Sequence, residues 1–252
     1  MKIRVFENSA ALSRAAARMA AATIREAIEK KGQATFVAAT GASQFEFLEF
    51  LTADKEIDWS KTTMFHLDEY VGLPETHKAS FRKYLRERFI AKTHPGTVHL
   101  INGDAPSAEA EAERLNRLIS GREIDIAFVG VGENGHLAFN DPPADFETHT
   151  PFLVLELDER CRLQQVNEGW FDSIDLVPRK AISMSVNEIL RADTVVCCVP
   201  GERKAEAVKN CFDSDLISPQ YPSSILKKHK RAYIFLDKSS AFMLSPGRYS
   251  VA

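Results

Sequence analysis

The stretch Ile124–Pro142 reads IDIAFVGVGENGHLAFNDP and decides the architecture. Ile124–Val129 is a short run that is apolar except for Asp125. A strand that is apolar on both faces belongs in a parallel sheet covered by helices. The run ends in a glycine-rich loop, Gly130–Gly135, and His136 follows at once. The same alternation recurs outward in both directions. Toward the N-terminus, Ala34–Ala39, Thr62–Leu67 and Val98–Ile101 read as strands. Toward the C-terminus, Phe152–Leu157, Ala181–Met184, Thr194–Val199 and Ala232–Leu236 do so. Helical periodicity fills the intervals at Ser9–Lys31, Gln44–Leu51, Lys78–Phe89, Ala105–Ser120, Glu159–Glu168 and Gly201–Phe212. Asn8 or Ser9 caps the first helix and Gly32 ends it.

Strands alternating with helices in this way build βαβ units. The expected fold is a single α/β domain over residues 1–252, with an open, doubly wound, mostly parallel, Rossmann-like sheet. A length of 252 residues suits one such domain. Apolar residues at 44% and charged residues at 27% exclude compositional disorder. A net charge of −3 argues against nucleic acid as a partner, which needs a concentrated basic face. The basic run Lys227–Arg231 reads as a solvated helix end. No apolar run reaches the ~18 residues of a membrane span, so no membrane partner is expected. MKIRVFENSA lacks the apolar core of an export signal, which makes the cytoplasm the expected compartment. Four cysteines occur without a C-x-x-C pair and read as free thiols. Cys197 and Cys198 are expected on opposite strand faces. Seven histidines form no H-E-x-x-H array, and neither a metal nor a cofactor is expected.

Ligands of open parallel sheets sit at the carboxyl ends of the strands. Four loops leave such ends, Thr40–Ser43, Asp68–Gly72, Gly130–His136 and Pro200–Lys204, and a single active site requires them to meet. In the first, Gly41 and Ala42 let backbone approach an anion, Thr40 and Ser43 add hydroxyls, and the helix start adds free N–H groups. It is neither a Walker A loop nor a G-x-G-x-x-G fingerprint. Pro200–Lys204 repeats the outline, with Lys204 in the first helical turn, where a cation opposes the helix dipole. Read singly, each is equally an ordinary turn. The Asp68 loop is expected to be polar and irregular. Asp68 and Glu69 point to opposite sides in extended backbone, which leaves one free to act as a general base. Read alone, Asp68 caps a turn and Glu69 is solvated. In the third loop, Asn134 stands two residues before His136 and Asp141 five after it. A carboxylate that orients a histidine and stabilises its cation is a recurrent partnership. Asp141–Pro151 is the longest irregular segment and reads as a candidate lid.

Taken together, TGAS near residue 40, LDEYVGL near 68, GENGHLAFNDP near 136 and GERK near 204 resemble the glucosamine-6-phosphate deaminase/isomerase family over nearly the whole chain. The related 6-phosphogluconolactonases share the fold but carry D-E-R and G-H-T-A-S-L-F-P stretches instead. The resemblance implies conversion of glucosamine 6-phosphate and water to fructose 6-phosphate and ammonia. It makes Asp68 the base that moves a proton from C2 to C1 and His136 the residue that opens the pyranose ring. Asn134 and Asp141 hold that histidine, and Thr40, Gly41, Ser43 and Lys204 bind phosphate. The implied partner is a small-molecule sugar phosphate, and a homo-oligomer is left open. Three departures stand out. Asn134 replaces a frequent acidic residue. Asp141 replaces the usual Glu, which predicts a longer contact to His136. The family's phosphate-binding arginine falls near Gln164 or Gln165, with Arg162 the nearest arginine. No allosteric phosphate site finds a match. The alternatives are a phosphosugar isomerase without deamination, a lactonase-like hydrolase and a non-catalytic sugar-phosphate sensor.

Overall fold

Local chemistry sets the first helix. In the computed structural model, which describes residues 1–251, α1 (Ser9–Lys31) follows β1 (Lys2–Phe6). Asn8 accepts the Ala11 N–H at 2.9 Å, and Gly32 ends the helix in the left-handed region at φ +78°. The chain continues through β2 (Ala34–Ala38), α2 (Phe45–Thr52), β3 (Thr62–His66), β4 (Asp68–Tyr70), α3 (Phe81–Leu85), α4 (Ala91–Thr93), β5 (Thr97–His99), α5 (Ala108–Ile119) and β6 (Ile126–Val129). Then come β7 (Phe152–Glu156), α6 (Glu159–Asn167), β8 (Lys180–Met184), α7 (Val186–Ile189), β9 (Thr194–Val199), α8 (Ala205–Phe212), β10 (Ala232–Asp237), α9 (Lys238–Ala241) and β11 (Ser250–Val251).

Eight strands form one all-parallel sheet in the order β11-β1-β10-β9-β6-β2-β3-β5. Alternate side chains feed two cores. Phe36, Ile126, Phe128, Val196 and Phe235 pack with α1, α2 and α3 on one face. Val37, Ala127, Val129, Val195 and Ile234 pack with α5, α7 and α8 on the other. Cys197 and Cys198 divide between these two faces, and all four cysteines are free and buried. Helices on both faces make the fold doubly wound. No described helix is long and apolar enough to cross a membrane.

Three expectations are corrected. Phe152–Leu157 and Ala181–Met184 do not join the main alternation. As β7 and β8 they pair antiparallel in a separate three-stranded sheet with β4. The half-exposed residues of β7 fit a sheet covered on one face only. Second, Asp68–Tyr70 is a strand rather than a polar loop. Its three residues are buried and face Ser183, Ile182 and Ala181. Third, the helix expected from Lys78 begins only after Ser80, whose hydroxyl accepts the Lys83 N–H, and widens into a π-turn at Arg86–Ile90. The segment Asp141–Pro151 is irregular but tethered, since Asn187 Nδ2 donates to the Phe146 and Thr148 carbonyls at 2.9 and 2.7 Å.

Phe36 sits at the centre of the α1 face, with ring centroids 5.6–5.9 Å from Trp59, Phe89 and Phe128. Phe36→Ala leaves a cavity among three rings that cannot collapse into it. The expected loss is about 3–5 kcal/mol, read as a lower urea midpoint at unchanged slope.

Candidate active site

Strands β9, β6, β2 and β3 are neighbours, and parallel pairing brings their carboxyl ends to one edge. The strand order reverses between β2 and β6, because β3 and β5 follow on one side while β6 and β9 lie on the other. The four loops converge there on a cavity of about 570 Å³. Thr40, Gly41, Ser43, Asp68, His136 and Lys204 all line it. Asn134 and Asp141 stand behind His136 rather than in the cavity wall.

Two walls are built alike. Gly41 and Gly201 both leave a strand with φ near +90°, at 91° and 92°, a conformation that a side chain disfavours. Each carbonyl then accepts an N–H three residues on, from Gln44 at 3.0 Å and Lys204 at 3.1 Å, starting a 3₁₀ turn that runs into a helix. Gln44 Nε2 donates to Ser43 Oγ and to the Val129 carbonyl, tying the β2 loop to β6. The Thr40 hydroxyl is buried and has no partner. Burial pushes the Lys204 ammonium down, while Glu168 and Glu133 draw it partly back. The product is a pocket end with an unpartnered hydroxyl, two glycine-led turns and the cations Arg203 and Lys204.

Asp68 and Glu69 part as strand geometry requires. Glu69 turns inward and is fully buried. It accepts from the Tyr70, Phe81 and Arg82 N–H groups at 3.0, 3.3 and 2.8 Å and from Ser80 Oγ at 3.1 Å. Burial pushes its carboxyl up, and these donors, three at the start of α3 and one in β4, pull it back. The solvated reading of Glu69 is therefore overturned. Asp68 faces the cavity, and no donor offsets its burial. Burial first, and the neighbouring Glu69 second, push its carboxyl up to about 8.

His136 is held by a dense network. Its Nδ1 lies 3.1 Å from Asp141 Oδ1, and its backbone N–H donates to Asn134 Oδ1 at 3.0 Å. A carboxylate only accepts, so Nδ1 carries the proton and Nε2 is the basic nitrogen. Burial pushes the Asp141 carboxyl up, but bonds from His136, Asn134 and the Asp158 N–H outweigh it and leave the carboxyl below its ordinary value. The contact expected to lengthen with the shorter Asp side chain stays within hydrogen-bond range. Gly132 makes room for the ring, since a Cβ there would collide with the imidazole. Ala138 takes a left-handed φ of +52° to return the chain toward Asp141. Cys161 Sγ lies within 4.8 Å of the His136 and Asp141 ligand atoms, a donor set that suits zinc. Burial holds that thiol well above the ordinary range, and both Asp141 oxygens already accept hydrogen bonds.

Gln164 and Gln165, noted in the sequence only for the arginine they stand in for, line the cavity, and three further lining residues, Glu133, Glu168 and Arg203, were not singled out. Gln164, Gln165 and Glu168 come from one face of α6 and its C-cap; their i, i+1, i+4 spacing was the available signal. Arg162 does not replace the absent arginine, because its guanidinium turns away to the Ile174 and Val177 carbonyls.

The sequence profile described as Glucosamine-6-phosphate isomerases/6-phosphogluconolactonase matches residues 7–235. The chain belongs to this family. Among related members, the Exiguobacterium sp. glucosamine-6-phosphate deaminase is 35% identical over 228 residues, covering 90% of this chain and 87% of the relative. Glucosamine-6-phosphate deaminase 1 of Bacillus subtilis is 33% identical over 247 residues, covering 96% and 98%. A solved structure described as a monomeric glucosamine-6-phosphate deaminase superposes with TM-score 0.86 at 31% identity, covering 96% of this chain and all of that one. The 6-phosphogluconolactonase of Trypanosoma brucei superposes at 0.79 with 17% identity, covering 97% and 98%, and shares the fold.

Asp68 supplies a stability test. Its carboxyl ionises near 8 when folded and near 3.8 when free. Between these values the folded state binds the extra proton, so this group makes stability fall as pH rises through that window. Asp68→Asn removes the titration. The variant is expected to gain on the wild type in urea unfolding from pH 5 to pH 8, and a constant difference would refute the shift.

Proposed function

We propose that this protein isomerises and deaminates an amino sugar phosphate, converting glucosamine 6-phosphate and water to fructose 6-phosphate and ammonia. The observation that carries the reading is a buried carboxylate, Asp68, facing the same cavity as a carboxylate-held imidazole, with the two glycine-led turns and Lys204 lining that cavity. The names of relatives at 33–35% identity agree with it.

In this reading the 6-phosphate is bound by Thr40, Gly41, Ser43 and Lys204. Anchoring that end turns the reacting carbons toward the β3 and β6 loops, and proximity supplies much of the rate. His136 moves a proton between the anomeric hydroxyl and the ring oxygen, and the pyranose opens to the aldehyde. Asp141 stabilises the imidazolium that forms transiently. Asp68 takes the proton from C2, made acidic by the neighbouring carbonyl, the C2 ammonium passes a proton to O1, and an enolamine results. The same carboxyl returns the proton to C1, giving a ketimine. Water adds at C2, and ammonia leaves. Burial makes Asp68 a stronger base than a solvated carboxylate, and the ammonium of the bound amino sugar favours its ionised form. All of these residues come from one chain, and residues 1–252 form one catalytic unit acting in the cytoplasm on a small-molecule substrate.

Incubation with glucosamine 6-phosphate is expected to release ammonia and fructose 6-phosphate in equal amounts. In heavy water, deuterium enters carbon-bound positions. Asp68→Asn lowers turnover by roughly a thousandfold or more. Ketose without ammonia would instead mark an isomerase, and turnover of a lactone a hydrolase. Lys204→Met is expected to raise KM roughly ten- to hundredfold, with a smaller change in kcat.

A further inference from the structure

Asp158 lies between β7 and α6 and takes no part in the chemistry above, yet it touches both partners of His136. Its Oδ1 accepts the Cys161 N–H at 2.5 Å and caps α6. Its Oδ2 accepts from Asn134 Nδ2 at 2.8 Å. Its own N–H donates to Asp141 Oδ2 at 2.9 Å. The second Asn134 Nδ2 proton goes to Asp141 Oδ1 at 2.8 Å, and Asn134 Oδ1 receives the His136 N–H at 3.0 Å.

Two carboxylates therefore share one amide. A carboxylate accepts and never donates, so only the Nδ2 end of Asn134 can lie between Asp141 and Asp158. That leaves the Oδ1 end for the His136 backbone. The amide is locked in one of its two flips, and both Asp141 oxygens are pinned while one holds Nδ1. We propose that Asp158 is a positioning residue for the His136–Asp141 pair, acting through Asn134. The inference rests on the reading that this pair opens the sugar ring. It makes the N-terminus of α6 and the Gly130–His136 loop one unit. A second tie, from the Glu133 N–H to Gln164 Oε1 at 3.0 Å, joins them one and a half turns further along the helix.

Asp158→Asn isolates the contact. Asn caps a helix as well as Asp does, so its oxygen retains the Cys161 bond, while its amide meets the Asn134 amide donor to donor. The backbone bond to Asp141 is untouched. The expected result is a kcat about ten- to hundredfold lower, with KM within about twofold and a melting temperature lower by no more than about 5 °C. Asp158→Ser keeps a cap and cannot reach Asn134, and it serves if the first variant folds poorly. The decisive comparison is a cycle with Asn134→Ala. If Asp158 acts through Asn134, the double variant is no slower than Asn134→Ala alone. Losses that multiply, or Asp158→Asn within twofold of the wild-type kcat, overturn the proposal. The His136 Nδ1–H resonance gives a readout independent of turnover, and it is expected to broaden or shift upfield in Asp158→Asn. A wild type that releases no ammonia while this resonance still responds would refute the function and leave the positioning role. An unchanged resonance would refute the positioning role.

Discussion

Parallel pairing of β9, β6, β2 and β3 is the constraint on which the site depends. In a parallel sheet every strand ends at the same edge, and neighbouring strands lie about 4.8 Å apart. Four consecutive strands thus deliver four loops within roughly 15 Å of one another. The reversal of strand order between β2 and β6 opens the crevice between them. Gly130 lets the two central loops meet, since a Cβ there would come within 2.9 Å of Ser43 Oγ. The two glycine-led loops lie on either side of β6, and the histidine rises from its end.

The small antiparallel sheet supplies what the large one cannot. By extending β3 into β4 it fixes the two acidic residues on opposite sides of a strand. Glu69 is compensated by the start of α3 and by Ser80, with the buried Arg82 guanidinium nearby at 3.7 Å. Asp68 is compensated by nothing within the protein, and its ordinary acidity is suppressed. A buried polar group left unpaired in the free protein is costly, and such costs gather where a ligand completes the pairing. One carboxylate is paired within the protein and the other is left facing the cavity.

Helix α6 closes the arrangement. It reaches the cavity through Gln164, Gln165 and Glu168, and it is bonded to the histidine loop at two points. Arg162 is spent on the turn at 174–177. Lys204, the Thr40 and Ser43 hydroxyls and the two glycine-led turns remain as the groups that line one end of the cavity. Lys204 shares the cavity with Glu133 and Glu168, so the end of the pocket that carries this cation also carries negative charge at its edge.

Much of this was legible in the residues. Runs such as Ile126–Val129 and Val195–Val199 announce burial on both faces, because an apolar residue at every position has no solvent side. Glycines before helix starts, a histidine after a glycine loop and adjacent carboxylates are local chemistry, and local chemistry is written in local sequence. The rest needed partners remote in the chain. Strand β4 exists because residues 181–183 pair with it, Glu69 is buried because α3 begins against it, and Asp158 matters because Asn134 lies 24 residues away in sequence and 2.8 Å away in space. Sequence determined which side chains are available and where strands and turns begin. Tertiary structure decided which of them meet, because hydrogen-bond direction and burial are properties of neighbours and not of the residue itself.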